Sequence, residues 1–490
     1  MAFLRTSPHS FTHAKGSIPL ETSRSNEKPP RSVPTYSTKS LTGFPLRLCS
    51  GLTLRQFDKL TTSKAQGKTL EKGFTLVELL IVIGILAILS VAVVVVLNPA
   101  ELIKQSRDSS RMSDFAAIST AMSLYTIDQP GGFTGSSSIV YVSIPDTSNT
   151  CANLGLPTLP TGYSYACSST STYRKVDGTG WMPLSLSSMA TGAPFSVLPI
   201  DPVNTTSSGN YYTYTPSGQK YEVATPFESA KYKLGGSADR ASMDGGIYTG
   251  LYESGSSLSL IPIDYGDPSL VGYWTFNEGS GTKAYDYSGH NASGTLACAG
   301  SGCTNPSWVS GRVGSNALSI NPLLSSSSYV SVPIINNPSV SGNALSISIW
   351  INPSVSQSKG GWLLRNGGGI DENYGFYLGS PSGGNYKMNI EGYSGGFRNA
   401  GTTSYIIPTS VWSHIVLVFT QGLSFQVYLN GALQQTVNFP YVTAISTSAF
   451  YIGGNANSAV QNLDGSMDDV RIYNRALSAS EILALYNATK

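Results

Sequence analysis

The sequence predicts a membrane-crossing helix continued by an amphipathic one, a small α+β head seated on that rod, and then an all-β sandwich of two sheets. Three observations predict it. Phe74 to Leu97 is a run of 24 residues in which Glu78 carries the only charge. Phe115, Ile118, Met122 and Tyr125 follow at helical spacing and form one apolar stripe. Beyond them, β-branched and aromatic runs recur between turn residues, and charged residues make up only 12% of the 490-residue chain.

As a helix, the run from Phe74 to Leu97 reaches roughly 36 Å, enough to cross a bilayer. The charge distribution orients it. Residues 1–73 hold 12 Lys and Arg against 4 Asp and Glu, a net of +8, whereas the remainder is −6. The positive-inside bias keeps the basic part in the cytoplasm and sends the acidic bulk out, and an acidic bulk disfavours nucleic-acid binding. A signal peptide or an ordinary anchor leaves Glu78 unexplained, because a lone carboxylate in hydrocarbon costs several kcal/mol unless it is paired or protonated. Export agrees with the cysteines. Cys49 precedes the apolar run, and the other four fall into two local couples, Cys151 with Cys167 and Cys298 with Cys303, which read as disulfides.

The residues "KGFTLVELLIVIGILAIL" resemble the prepilin N-terminus of type IV pilins and type II secretion pseudopilins. Lys72, Gly73, Phe74, Thr75, Leu76, Val77 and Glu78 agree with that pattern in order. The resemblance implies a membrane peptidase that cleaves after Gly73 and N-methylates Phe74, other pilin subunits, and a membrane assembly platform as partners. It also implies that Glu78 docks the subunit by pairing with the terminal amine of a neighbour, which makes a buried anion tolerable. The implied location is the bacterial inner membrane, then a cell-surface or periplasmic filament.

The expected architecture is thus an α+β rod-and-head pilin followed by an all-β two-sheet jelly-roll sandwich. Its expected parts are a basic leader (1–73), the transmembrane helix (74–97), its amphipathic continuation (98–128), a pilin-like head (129–250), a Gly/Ser-rich linker (251–268) and the sandwich (269–490). Pro99 either kinks the rod or opens a new helix capped by Asn98. In the head, "YYTYT" and "KYEVAT" predict a hairpin about a turn at Pro216-Ser217-Gly218, and "LPIDP" before it resembles pilin-type heads.

In the last 220 residues, Asn430-Gly431 between alternating apolar runs is a strong hairpin signal. The segments "LVGYWTFNEGSGTKAYDYSGHNASGTL", "ALSISIWINP" and "LDGSMDDVRIYNRALSASEILALYN" resemble the laminin-G-like, concanavalin A-like jelly roll. In "SMDDVRIY", strand alternation puts Asp468 on one face with Val470 and Ile472, and Asp469 on the other with Arg471. An inward Asp468 needs hydrogen bonds or a metal. Many members of the jelly-roll class hold a structural calcium, and Asp286 with Asn277 or Glu278 would supply further oxygens. Trp274, Trp350 and Trp412 are expected in the core. Trp362, Tyr374, Tyr377, Tyr386 and Tyr393 lie among Gly and Asn and offer rings that could stack on sugars.

"GYSGG", Gly392 to Gly396, matches the nucleophile-elbow spacing but lacks the strand-to-helix context that motif requires. Outside the leader the chain holds two histidines, His290 and His414. Two functions follow as expectations. One is a non-enzymatic filament subunit, minor or at the tip because so bulky a head obstructs its neighbours, whose jelly roll binds a glycan or a surface protein. The other is a membrane-anchored, exported glycan-active enzyme with a lectin-like substrate module.

Overall fold

The computed structural model describes residues 75–320, 326–333, 344–355, 361–366, 374–393, 397–404, 406–420, 422, 424–438, 449–454 and 462–490. Gly73 and Phe74, the expected cleavage and methylation positions, lie outside them.

Helix α1 (Leu76–Leu97) is apolar on every side, and its described side chains are all exposed. It is the one helix among the described residues long and apolar enough to cross a membrane, and it fits a single-pass anchor. Helix α2 (Pro99–Asp128) starts afresh rather than continuing α1. Asn98 adopts a left-handed conformation (φ 39°), its side chain accepts from the Glu101 amide, and Pro99 takes the first turn, where its missing N–H is harmless. Of the two sequence readings of Pro99, the capped start is the one observed.

The stripe on α2 is buried, as its spacing requires. Phe115, Ile118, Met122 and Tyr125 pack with Trp181, Tyr212, Tyr214, Tyr221 and Val223. The head's sheet consists of β1 (Ile139–Val142), β2 (Ser164–Cys167), β3 (Thr213–Ser217), β4 (Lys220–Pro226) and β5 (Leu251–Gly255), in the order β2-β1-β3-β4-β5. Only the β1–β2 pair is parallel. The β3–β4 hairpin turns at Gly218 (φ 62°) and Gln219, with Ser217 opposite Lys220. Pro216 and Ser217, expected in the turn, therefore lie in the strand. The disulfide between Cys151 and Cys167 ties β2 to the loop before it.

Residues 251–268 do not behave as the free linker their Gly and Ser content predicts. Leu251–Gly255 forms β5, with Leu251 and Glu253 turned inward. Ile261, Ile263 and Asp264 are buried. The Tyr265 ring stacks on Tyr211 at 4.9 Å, and its hydroxyl donates to the Ala224 carbonyl.

Among the described residues the sandwich has a two-stranded sheet of Asn385–Tyr386 and Ile407–Pro408 and two large antiparallel sheets. One runs, in order, Ala432–Asn438, Ser424–Leu429, Ser413–Thr420, Ala344–Pro353, Gly465–Tyr473, Asn316–Ile320 and Ser307–Ser310, with Leu270–Trp274 also pairing on Gly465–Tyr473. The other runs Phe397–Thr402, Met388–Tyr393, Tyr374–Leu378, Gly361–Asn366, Phe450–Ile452, Ser326–Val332, Gly294–Gly300 and Lys283–Ala284. Their facing side chains, among them Trp274, Ile349, Leu364, Phe376, Ile390, Ile415, Val427 and Ile452, form the main core. Asn430 (φ 50°) and Gly431 (φ 81°) make the tight hairpin turn their sequence predicts. The second disulfide joins Cys298 and Cys303.

The outer face of the first sheet is covered as well. Helix α3 (Ala479–Thr489), opened by a capping box of Ser478 and Glu481, lays Ile482 and Leu485 on it. The head lays Ala224, Tyr248, Leu251 and Ile261 against Tyr273, Val416, Val418 and Tyr473 in the same apolar cluster. Trp350 belongs to this outer layer, donating to Thr489 Oγ1 at 2.9 Å, and Trp412 is half-buried beyond the strand. Of the three tryptophans expected inside, only Trp274 is in the main core.

Candidate functional site

At the rod, Glu78 falls in the first turn of α1 and is exposed. The free amides of a helix N-terminus favour a negative charge there. About three turns into α2, a charged knot fastens the rod to the head. Arg111 is fully buried, donates to both oxygens of Asp201 (2.6 and 2.9 Å) and to Asp108 (2.6 Å), and also pairs with Glu228. Asp108 in turn accepts from the Glu228 and Ser229 amides, and Arg107 closes on Glu228 from outside. Sequence reading passed over Arg111. Its signal was its position: it stands four residues before Phe115, on the apolar stripe itself, where a charge must be paired.

In the sandwich, the expected phase of Asp468 is overturned by a bulge. Asp469 takes φ 47°, and the pairing with Ala344–Pro353 slips between Ser348 and Trp350. Met467 and Val470 consequently both face the core, while Asp468 moves to the outer side opposite Trp350. There its Oδ2 accepts from the Arg312 (2.7 Å) and Val313 (2.8 Å) amides, and burial pushes its carboxyl up to about 8, with the charge of Asp469 adding to the rise.

The four residues expected around calcium divide between backbone tasks. Asp286 accepts from the Tyr273, Ser288 and Ala292 amides, which uses both its oxygens. Asn277 accepts from the Ser315 and Asn316 amides, so that it and Asp468 clasp the two ends of one loop. Glu278 holds the Tyr285 amide at 2.7 Å. One oxygen each of Asp468 and Glu278 lacks a partner, but a calcium ion takes six to eight oxygens. Among the described residues no three His, Cys, Asp or Glu side chains come together to hold a metal. As arranged, Asp468, Asp286, Asn277 and Glu278 do not fit a calcium cage.

The aromatic cluster is also redistributed. Trp362 is only 3% exposed. Its ring lies over Gly375, where any β-carbon would clash at 2.3 Å, and the Arg365 guanidinium sits 4.9 Å from its centroid. It supports the surface rather than offering a free ring. Tyr386 is fully buried in the main core. Tyr374 and Tyr393 end strands of the second sheet, and their side chains lie outside the described residues.

What remains on the outer face of that sheet is a half-exposed polar and aromatic patch. Tyr377 packs on Trp362 at 4.9 Å between ring centroids, and Tyr451 meets Tyr329 edge-on at 5.5 Å. Glu391, raised by burial, takes a hydrogen bond from Tyr377 and lies in the field of Arg365. A partly exposed phenol and carboxylate beside ring edges, backed by the buried Arg365 guanidinium, are groups that recognise hydroxyl-rich or peptide ligands.

A serine–histidine pair does exist, on the opposite sheet. Ser348 Oγ and His414 Nε2 are 2.8 Å apart, but both residues are 2% exposed, and the imidazole lies against Trp350 and Tyr486. Burial pushes His414 down to about 3, so it is neutral and closed off. Of the "GYSGG" match, Gly392 and Tyr393 end the strand Met388–Tyr393, which pairs with Phe397–Thr402, and Ser394 to Gly396 lie outside the described residues.

Two family models match parts of the chain. The prokaryotic N-terminal methylation motif matches residues 68–94, and the concanavalin A-like lectin/glucanases superfamily (Laminin_G_3) matches residues 324–483. The chain thus joins a prepilin-type N-terminus to a concanavalin A-like jelly roll. No curated protein gives a significant match.

Among solved structures the chain is similar to domain 4 of AbnA, a GH43 extracellular arabinanase from Geobacillus stearothermophilus, solved with arabinotriose. That match has 23% identity and a TM-score of 0.34, covering 45% of this chain and 98% of that domain. It is also similar to the binding domain of Paraclostridial Mosquitocidal Protein 1 (22% identity, TM-score 0.34, 45% of this chain) and to the receptor binding domain of botulinum neurotoxin C/D mosaic serotype (13%, 0.34, 45%). The chain spans about half the length of those two, 52% and 51% respectively.

Proposed function

We propose that the chain is a minor or tip subunit of a prepilin-type filament, a type IV pilus or a type II secretion-like assembly, that displays its jelly roll for adhesion to a glycan or a surface protein. The observation that carries this reading is the exposed apolar helix α1 with one carboxylate in its first turn, joined through α2 to a head on which the sandwich is seated. A helix meant only as an anchor has no use for Glu78, whereas a helix that packs among copies of itself can pair that anion with a neighbour's terminal amine. The role as a subunit is non-enzymatic. The Tyr377 and Glu391 patch, backed by the buried Arg365, is the surface through which the jelly roll would meet its ligand.

The second reading, a membrane-anchored glycan-active enzyme, makes a different prediction for Gly73. Blocking the cut with a Gly73→Val substitution is expected to leave the unprocessed chain in the inner membrane and to deplete it from sheared filaments. Immunoblots of both fractions measure this. Surface glycan-degrading activity that persists unchanged in the variant would favour the enzyme instead.

A further inference from the structure

Where the head meets the sandwich, two buried glutamates face each other without a base. Glu222 on β4 and Glu253 on β5 lie on the same sheet face, since Ala224 is opposite Glu253 in the register, and they are 0% and 2% exposed. Each uses one oxygen on a backbone amide that matters for the junction. Glu222 Oε2 accepts from the Leu260 (2.5 Å) and Ile261 (2.9 Å) amides, and Glu253 Oε2 accepts from the Tyr248 amide at 2.9 Å. Ile261 and Tyr248 are two of the side chains the head presses against the sandwich, and the Tyr248 hydroxyl donates to the Ile261 carbonyl. The other oxygens, Glu222 Oε1 and Glu253 Oε1, are both buried and have no hydrogen-bond donor among the described residues.

Among the described residues, the surroundings supply no cation to either. Asp244, the third carboxyl here, accepts from the Glu253 and Gly246 amides, and Gly246 packs so closely on Glu253 that a β-carbon would meet its Oε2 at 2.1 Å. On the head's side the other titratable groups are Tyr248 and Tyr252, with Arg240 close to Tyr252. Asp264, in the segment after β5, lies nearby as well, and from the sandwich come Tyr273, Tyr287 and the Asp469–Arg471 pair. Arg471 is already committed to Asp469, to Thr249 Oγ1 at 2.7 Å and to the Tyr273 hydroxyl at 2.8 Å. Two carboxylates confined without a counter-charge cannot both stay ionised.

We infer that Glu222 and Glu253 hold one proton between their facing oxygens, and that this shared proton makes the seating of the jelly roll on the head a pH-sensitive latch, firm in acid and loosened in alkali. The direction follows from linkage. Burial raises Glu222, burial and the charge of Glu222 raise Glu253, and burial raises Asp244 to about 7. Groups raised on folding contribute stability that is complete below the ordinary carboxylate range and is lost as pH climbs through the folded values.

The full chain in detergent provides the test. Its melting temperature is expected to fall by roughly 5 °C between pH 5 and pH 9. Glu222→Gln, whose amide donates to Glu253 in place of the proton, should lose at least about half of that slope and melt above the parent at pH 9. Asp244, Asp264 and Asp468 leave a residual slope in both proteins, so the difference between the two is the readout. Infrared spectra of the unmodified chain should show a protonated-carboxyl band at neutral pH that titrates away in alkali, which tests the latch even if the variant folds poorly. Equal slopes in parent and variant, or no such band, overturn the inference. So does calcium, magnesium or manganese raising the melting of the parent alone, which would make the cluster a cation site.

Discussion

Glu78→Gln is expected to leave the chain in the membrane and keep it out of the filament. The substitution removes the single charge of the apolar run while preserving its length and helix propensity. Insertion therefore becomes easier, because a carboxylate is expensive in hydrocarbon. Assembly moves the opposite way: the neighbour's terminal amine would be buried without its anion, and breaking a buried pair by removing one partner costs about 3–5 kcal/mol. Since every 1.4 kcal/mol is about tenfold, incorporation should drop on the order of a hundredfold or more. Quantitative immunoblots of membrane and sheared fractions measure both arms. An anchor-only role would leave the two fractions in their normal ratio.

Arg111→Met is expected to unseat the head from the rod. Methionine keeps the helix and much of the volume but strands the buried Asp108 and Asp201 without their cation. The loss should be about 3–5 kcal/mol, far more than for an exposed pair. It should register as a large fall in resistance to proteolysis and denaturant, with α1 still in the membrane. Replacing Asp108 and Asp201 together with Asn in the Arg111→Met background should recover part of the loss, because the stranded charges are then gone. A variant as stable as the parent would mean that the knot contributes nothing to holding head and rod together.

Much of the fold could be read from periodicity. The apolar run, the Phe115 to Tyr125 stripe and the Asn430-Gly431 turn each depend on local spacing, and each appears as expected. The misreadings share a cause, which is that a single residue changed the meaning of its neighbours. The bulge at Asp469 reversed the phase of Asp468, and no alternation pattern records an extra residue. Gly375 let Trp362 lie flat on its strand and sink from view, a relation between residues 13 apart in sequence. In the 251–268 segment, Ser and Gly concealed the in-out alternation of Leu251 and Glu253. Two signals were present and unused: the capping box at Ser478 and Glu481, and a charge on the buried stripe at Arg111.

The identity of the first residue of the surface form bears most directly on this account. Filaments sheared from cells and digested should yield an N-terminal peptide that begins at Phe74 and carries one methyl group on its amine. A surface form that retains any part of residues 1–73, or that starts beyond Phe74, would remove the amine that Glu78 is proposed to meet and with it the reading of this chain as a filament subunit.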